Sequence, residues 1–227
     1  MLVALWTITH RYRGLSGDAE LYALQALARI HPSLAADLYL QNVSQDKFTI
    51  FSPLYTACID LLGMHAAALT LTLCFTIWFF LASWFLAREL TDGATAYLAV
   101  GMLIITAGSY GGFGVFNYYE DWVTARSLGE ALALTALALH FRGARRLALL
   151  LALGACFVHP LMVLPCLLLL ICLWLPVRAS ASAALLGLLC VPIVAAAALI
   201  GHATTGPLAV IDGDWLEVVR ERSQFLF

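Results

Sequence analysis

The apolar run from Leu61 to Ala87, LLGMHAAALTLTLCFTIWFFLASWFLA, contains no Asp, Glu, Lys or Arg and constrains the fold more than any other feature. A helix needs about 20 apolar residues to cross the hydrocarbon core of a bilayer. Ser52 and Pro53 have the character of an N-cap and a first-turn proline, so this helix is predicted to begin near Pro53. The chain is 63% hydrophobic and 11% charged, whereas soluble domains are about 45–50% apolar and about 25% charged. The sequence therefore predicts an all-α, polytopic transmembrane helical bundle.

The same reasoning predicts that the whole chain is a single integral membrane domain. It comprises a partial first span at 1–10, an exterior loop with amphipathic helices at 11–52, membrane helices at 53–87, 94–110, 127–141, 147–158, 161–176 and 182–201, and an exterior tail at 202–227. As one helix, 147–175 would be about 43 Å long, which exceeds a hydrocarbon core of about 30 Å. Proline also disfavours helical angles in the preceding residue. Orientation favours two short segments divided at His159-Pro160, because they place Arg178 on the same side as the arginines that follow the predicted helices at 53–87 and 127–141, and the acidic tail on the opposite side.

Charge predicts the orientation of these spans, because cytoplasmic loops are enriched in Lys and Arg. Four arginines are assigned to the cytoplasmic side: Arg88, Arg142, Arg145 and Arg146. With the division at His159-Pro160, the segments 11–60, 111–126 and 202–227 all face outward, and only Glu89 and Asp92 of the acidic residues lie inside. We therefore expect an integral membrane protein with its carboxylates on the exterior rim.

Asp18 is the first candidate for chemistry, because it follows a Ser-Gly bend at the start of a predicted surface helix. That helix is predicted over 18–30, where one face is apolar, and His31-Pro32 ends it. A second short helix is predicted from Pro32 to Leu40. The Asp18 carboxylate has two interpretations: it caps the helix, or it is a general base that takes a proton from an acceptor hydroxyl.

A second cluster lies in the predicted exterior segment before the helix at 127–141, within FGVFNYYEDWVTARSLGEAL. Its carboxylates, Glu120 and Asp121, either bind a metal or pair with Arg126. Arg126 is also suited to hold a lipid phosphate, because a guanidinium matches phosphate oxygens at two points. Thr124 or Ser127 is expected to cap the helix.

His159 is the third candidate, in the break between the two short segments. It either meets a backbone carbonyl left free by Pro160 or donates to a phosphate group. Motifs of other chemistries are absent from the chain: there is no CxxC pair, no GxxxxGK[ST], no HExxH and no GxSxG. The net charge of −2 does not favour nucleic acid as a partner.

Several stretches resemble the integral-membrane glycosyltransferases of the GT-C class, which use polyprenyl-phosphate sugars. SGDAELYALQALARIHPSL and FSPLYTACIDLLG match the exterior loop after the first span, which carries an acidic residue followed by surface helices. YYEDWVTARSLGEALALTALALHFRGARRLALLLALGACFVHPLMVLP is similar to the middle spans of bacterial members, and WLEVVRERSQFLF to their next exterior segment.

The resemblance implies an inverting transfer of a sugar from a polyprenyl-phosphate donor to an acceptor at the exterior membrane face. Asp18 matches the position of the catalytic base, Glu120 or Asp121 that of a second exterior acid, and Arg126 or His159 would bind the lipid phosphate. The implied partners are membrane lipids and the polyprenyl-phosphate sugar, without nucleic acid. The cofactor is left open, with a divalent metal as one candidate.

The chain departs from this class in having an incomplete first span and fewer spans than is usual. One interpretation is that it is an N-terminal fragment, inactive by itself. Two other functions stay open on the sequence alone. A transporter or permease component would carry charged or broken helices at the bilayer midplane, for which only His159-Pro160 is a sign. A non-catalytic membrane scaffold is the other.

Overall fold

The computed structural model of the chain divides into two compact units, residues 1–170 and 171–227. The residues that the structure describes are 2–36, 40–41, 45–106, 108–110, 116–118, 120–176, 178–179, 181–182, 186–188, 190 and 217. In the second unit they include the end of a long helix and a short helical stretch, in which the Ser182 hydroxyl donates to the carbonyl oxygen of Arg178 at 2.9 Å. The candidate site lies in the first unit.

The described residues form helices almost throughout, which confirms the predicted all-α class. The α-helices are α1 (Leu2–Thr9), α2 (Asp18–Ile30), α3 (Phe51–Leu62), α4 (Met64–Leu90), α5 (Gly93–Ile105), α6 (Ala125–Phe141), α7 (Arg145–Ala155) and α8 (Pro160–Trp174). Short 3-10 helices cover Pro32–Ala36 and Gln45–Phe48. Two short strands, β1 (Ser109–Tyr110) and β2 (Phe116–Asn117), pair antiparallel, with Ser109 opposite Asn117.

Among the described residues, α4 is the one helix long and apolar enough to cross a membrane. The helices α3, α5 and α8 are apolar but shorter. Where two helices were predicted at 147–158 and 161–176, the structure has α7 and α8, with a turn before Pro160. The predicted helix at 182–201 and tail at 202–227 lie almost entirely outside the described residues.

The predicted continuous helix at 53–87 is wrong, because the structure interrupts it at Gly63. Gly63 ends α3 and begins α4 with φ 77° and ψ 159°, a conformation that is essentially restricted to glycine. The N–H of Gly63 still donates to the Ile59 carbonyl at 2.8 Å, as in a helix end. α3 is thus a separate helix from α4, and it packs against both α4 and α2; against α2, the rings of Tyr22 and Phe51 meet edge to face.

Replacing Gly63 with alanine is expected to lower the free energy of unfolding by about 1–3 kcal/mol, because alanine does not adopt this backbone conformation without strain. Thermal denaturation of the purified protein in detergent measures the effect. Gly101→Ala is the matched control, since Gly101 lies inside α5 and an added Cβ meets nothing within 4 Å. Alanine is also the better helix former there, so equal losses in both variants would contradict the role of Gly63.

The core of the first unit forms where α4 packs against α3, α5 and α6, and α6 packs against α7. Small side chains with no exposed surface allow these helices to approach closely: Ala67, Ala68, Ala131, Ala136, Ala148 and Ala152. The turn before α8 is tied to the segment before α3. The Thr49 hydroxyl donates to the Val158 carbonyl at 2.7 Å, and the Ile50 N–H donates to the Phe157 carbonyl at 2.9 Å. The segment before α3 and the turn before α8 therefore lie next to each other.

Candidate functional site

Arg126, in the first turn of α6, is bonded to two of the carboxylates that the sequence singled out. Its Nη1 lies 2.6 Å from Asp18 Oδ2, and its Nη2 lies 2.6 Å from Glu120 Oε1. Its Nε also donates to Glu120 Oε1, at 3.0 Å. One guanidinium therefore joins α2 to the segment before α6, across more than one hundred residues of chain.

Glu120 is the fixed member of this group, because its side chain is only 2% exposed. The Thr124 hydroxyl donates to Glu120 Oε2 and accepts from the Ser127 N–H, so Thr124 is the cap of α6. Burial raises the pKa of Glu120, and Arg126 and Thr124 act against that rise. Burial alone would lower the pKa of Arg126, but Glu120 and Asp18 raise it above its ordinary value. The guanidinium is thus firmly charged.

Asp18 is the accessible member of the group, with a side chain that is 47% exposed. It is the first residue of α2, after Gly17, whose φ of 56° turns the chain into the helix. The N-cap of α2 is Gly17, and Asp18 and Glu20 are the acidic residues of its first turn, where negative charge favours the helix dipole. A carboxylate oriented by Arg126 and open to solvent is a suitable acceptor for a proton from a bound hydroxyl.

Asp121 belongs to a neighbouring pair rather than to the Arg126 group. Its Oδ2 lies 3.4 Å from the Nε of Arg13, whose backbone N–H also donates to the Asp121 carbonyl at 3.2 Å. The Arg13 guanidinium lies 5.6 Å from the ring centroid of Trp122. Burial raises the pKa of Asp121, while His10 and Arg13 act against that rise.

A cavity of about 110 Å³ opens at this pair and also reaches Glu120. His10, Arg13 and Asn117 line it and supply hydrogen-bond donors. The sequence analysis did not single out His10 or Arg13 as site residues. The signal that was present is the position of His10 at the end of the predicted partial span and of Arg13 at the start of the exterior loop that carries Asp18.

His159 lies in the turn before α8, on the wall of a second cavity of about 170 Å³. The carbonyl oxygens of Phe157 and Val158 in this turn accept hydrogen bonds from the Ile50 N–H and the Thr49 hydroxyl. Its ring is buried, and its Nδ1 has no hydrogen-bond partner among the described residues. Burial lowers the pKa of His159, and the nearby charge of Arg126 lowers it further.

Gly129 is the residue that brings His159 close to α6. A Cβ added at Gly129 would lie 3.3 Å from the Cβ of His159 and 3.4 Å from that of Met162. Any larger side chain at this position of α6 would push the turn and α8 away. The site thus gathers Asp18, Glu120 and Arg126, with His159 beside them and Asp121 on the neighbouring pair.

Within the described part of the chain, no group of three His, Cys, Asp or Glu side chains is arranged to hold a metal ion. Of the two interpretations of Glu120 and Asp121, the structure shows pairing with arginine: Glu120 with Arg126 and Asp121 with Arg13. Comparison with protein families, with curated proteins and with solved structures finds no match to this chain.

Proposed function

We propose that this chain is a polytopic protein of the bacterial inner membrane and a glycosyltransferase of the GT-C kind, acting at the exterior face. The observation that carries this proposal is the Arg126 group, in which one guanidinium contacts Asp18 and Glu120. Two segments predicted to face outward, 11–60 and 111–126, meet in this group at one end of the bundle. A cation whose side chain is 13% exposed, beside an accessible carboxylate, suits a transfer in which a phosphate leaves and a hydroxyl loses its proton.

In the proposed reaction, the acceptor hydroxyl attacks the anomeric carbon of a sugar carried on a polyprenyl phosphate. Asp18 takes the hydroxyl proton as the new glycosidic bond forms. The bond between the anomeric carbon and the phosphate oxygen breaks, and the phosphate departs with the bonding electrons. Arg126 stabilises the negative charge that develops on this phosphate, to which a guanidinium can donate at two points.

The other residues have supporting roles in this proposal. Glu120 is a counter-ion that holds Arg126 in place, since its carboxylate faces Arg126 and Thr124. His159, beside Arg126, is available to donate to a phosphate oxygen through the ring nitrogen that has no described partner. Arg13, which is 63% exposed, adds positive charge at the neighbouring cavity.

The test is sugar transfer by the purified protein in detergent, with a labelled polyprenyl-phosphate sugar as donor and a mixed polyprenol, sugar and lipid pool as acceptor. We expect label to move to the acceptor in a protein-dependent way, and expect no transfer from a nucleotide sugar under the same conditions. A protein that binds the lipid donor without transferring its sugar would support the scaffold alternative. Transfer from nucleotide sugars alone would contradict the assignment to lipid-linked donors.

A further inference from the structure

An apolar groove of about 310 Å³ runs along the side of the bundle between α4 and α6. Each helix contributes one stripe, spaced three and four residues apart, so that each stripe lies on one helix face. The stripes are Trp78, Leu81, Ala82 and Phe85 on α4, and Thr135, Ala138, Leu139 and Arg142 on α6. Ala82 and Ala138 are buried and form the floor, while Leu81 and Phe85 are exposed and form a wall.

One end of the groove has a hydrogen bond between two side chains, and the other end has a positively charged side chain. The indole Nε1 of Trp78 donates to the Thr135 hydroxyl at 3.0 Å at the first end. At the second end Arg142 is 61% exposed, and its Nε lies 3.4 Å from Glu89. From Trp78 to Phe85 the helix rises about 10 Å, about two thirds of the depth of one leaflet of a 30 Å hydrocarbon core.

The charge around the second end is predominantly positive. Four arginines belong to the ends of α4, α6 and α7 there, Arg88, Arg142, Arg145 and Arg146, against the two carboxylates of Glu89 and Asp92. Asp92 is occupied as the N-cap of α5, where it accepts from the N–H groups of Ala94 and Thr95. Basic residues next to a membrane helix attract the anionic lipids of the cytoplasmic leaflet.

We propose that this groove binds one acyl chain of an anionic phospholipid, whose phosphate contacts Arg142. The small floor residues make room for the chain, and Arg142 lies where the headgroup of a lipid seated in the groove would be. The inference rests on the membrane location proposed above, but not on sugar transfer. The lipid-binding proposal and the sugar-transfer proposal can therefore fail separately, because a protein that transfers no sugar can still bind anionic lipids selectively.

The test is the binding of dioleoyl phosphatidylglycerol to the full chain, purified in a neutral detergent. Bound lipid is counted by native mass spectrometry, and its affinity is followed by the rise of the thermal unfolding midpoint. We expect tighter binding than for dioleoyl phosphatidylcholine, and expect Arg142→Gln to weaken it about fivefold, the effect of one cation near a lipid headgroup. Ala138→Leu fills the floor and is expected to remove the bound lipid.

Matched control variants distinguish lipid binding in the groove from a general effect of positive charge. Arg88→Gln is the control for charge, because Arg88 lies at the same end but stacks on Trp84, 5.0 Å from its ring centroid, outside the groove. Ala66→Leu is the control for size, on the exposed surface of α4. Equal binding of the two phospholipids, or equal weakening by Arg88→Gln and Arg142→Gln, would overturn the proposal. If glycerol phosphate raised the thermal unfolding midpoint as much as the phospholipid does, that would also overturn the proposal, because the acyl chain would then be unnecessary for binding.

Discussion

Replacing Asp18 with asparagine is expected to slow sugar transfer by about 10²- to 10⁴-fold, the usual contribution of a general base. Asparagine keeps an oxygen that accepts from Arg126 Nη1, so the contact in the structure is preserved while the proton acceptor is lost. The loss should therefore appear in kcat. The thermal unfolding midpoint should hardly change, since the Asp18 side chain is 47% exposed.

Glu20→Gln is the matched control, since Glu20 is an exposed carboxylate in the same first turn of α2. We expect its turnover to equal that of the wild type. Equal turnover by Asp18→Asn and the wild type would remove Asp18 from the reaction. A parallel loss in both variants would instead indicate that the negative charge of this helix end attracts the acceptor.

Replacing Arg126 with glutamine is expected to destabilise the protein by about 3–5 kcal/mol, the usual cost of leaving a buried partner uncompensated. Glu120 is that partner, with a side chain only 2% exposed and a carboxylate that contacts Arg126 at two nitrogens. Glutamine is shorter than arginine and carries no charge, so it cannot replace the charged contacts that Arg126 makes with Glu120. Thermal or chemical denaturation in detergent measures the loss.

A double-mutant cycle isolates the Arg126–Glu120 pair from the other effects of the substitution. The variant Glu120→Gln with Arg126→Gln is expected to be more stable than Arg126→Gln alone, because no buried charge is then left unpaired. Arg13→Gln is the control, since Arg13 is 63% exposed in its pair with Asp121 and such a pair contributes less than about 1 kcal/mol. Simple additivity of the two substitutions would contradict the coupling.

The spacing of apolar residues, together with residues that typically begin or end helices, predicted most of the helices. The amphipathic spacing over 18–30 coincides with α2, and the His159-Pro160 pair lies where α7 and α8 are separated. The break at Gly63 was missed, because a glycine inside an apolar run gives no sign of whether its φ will be positive. α3 also packs against α2, where Phe51 meets Tyr22, and local spacing does not predict a contact between residues so far apart in the chain.

Asp18 was singled out at a predicted helix start, and Glu120 and Arg126 in the predicted exterior segment before the next helix; the structure brings the three together. The pairing of Glu120 with Arg126 was one of the predicted alternatives, whereas the contact of Asp18 with Arg126 was not predicted. That Asp121 pairs with Arg13 instead of Arg126 depends on how residues 11–17 cross the start of α6. Pairing between side chains so far apart in the chain depends on tertiary packing, which the local spacing of residues does not predict.

The proposed function requires that the start of α2 and the segment before α6 lie on the same, non-cytoplasmic side of a membrane. Single cysteines at Glu20, Asn117 and Arg145, in a background without the six native cysteines, test this by labelling spheroplasts with a membrane-impermeant maleimide. We expect positions 20 and 117 to react in intact spheroplasts, and position 145 to react only after lysis. Labelling of positions 20 and 117 from opposite sides would contradict it.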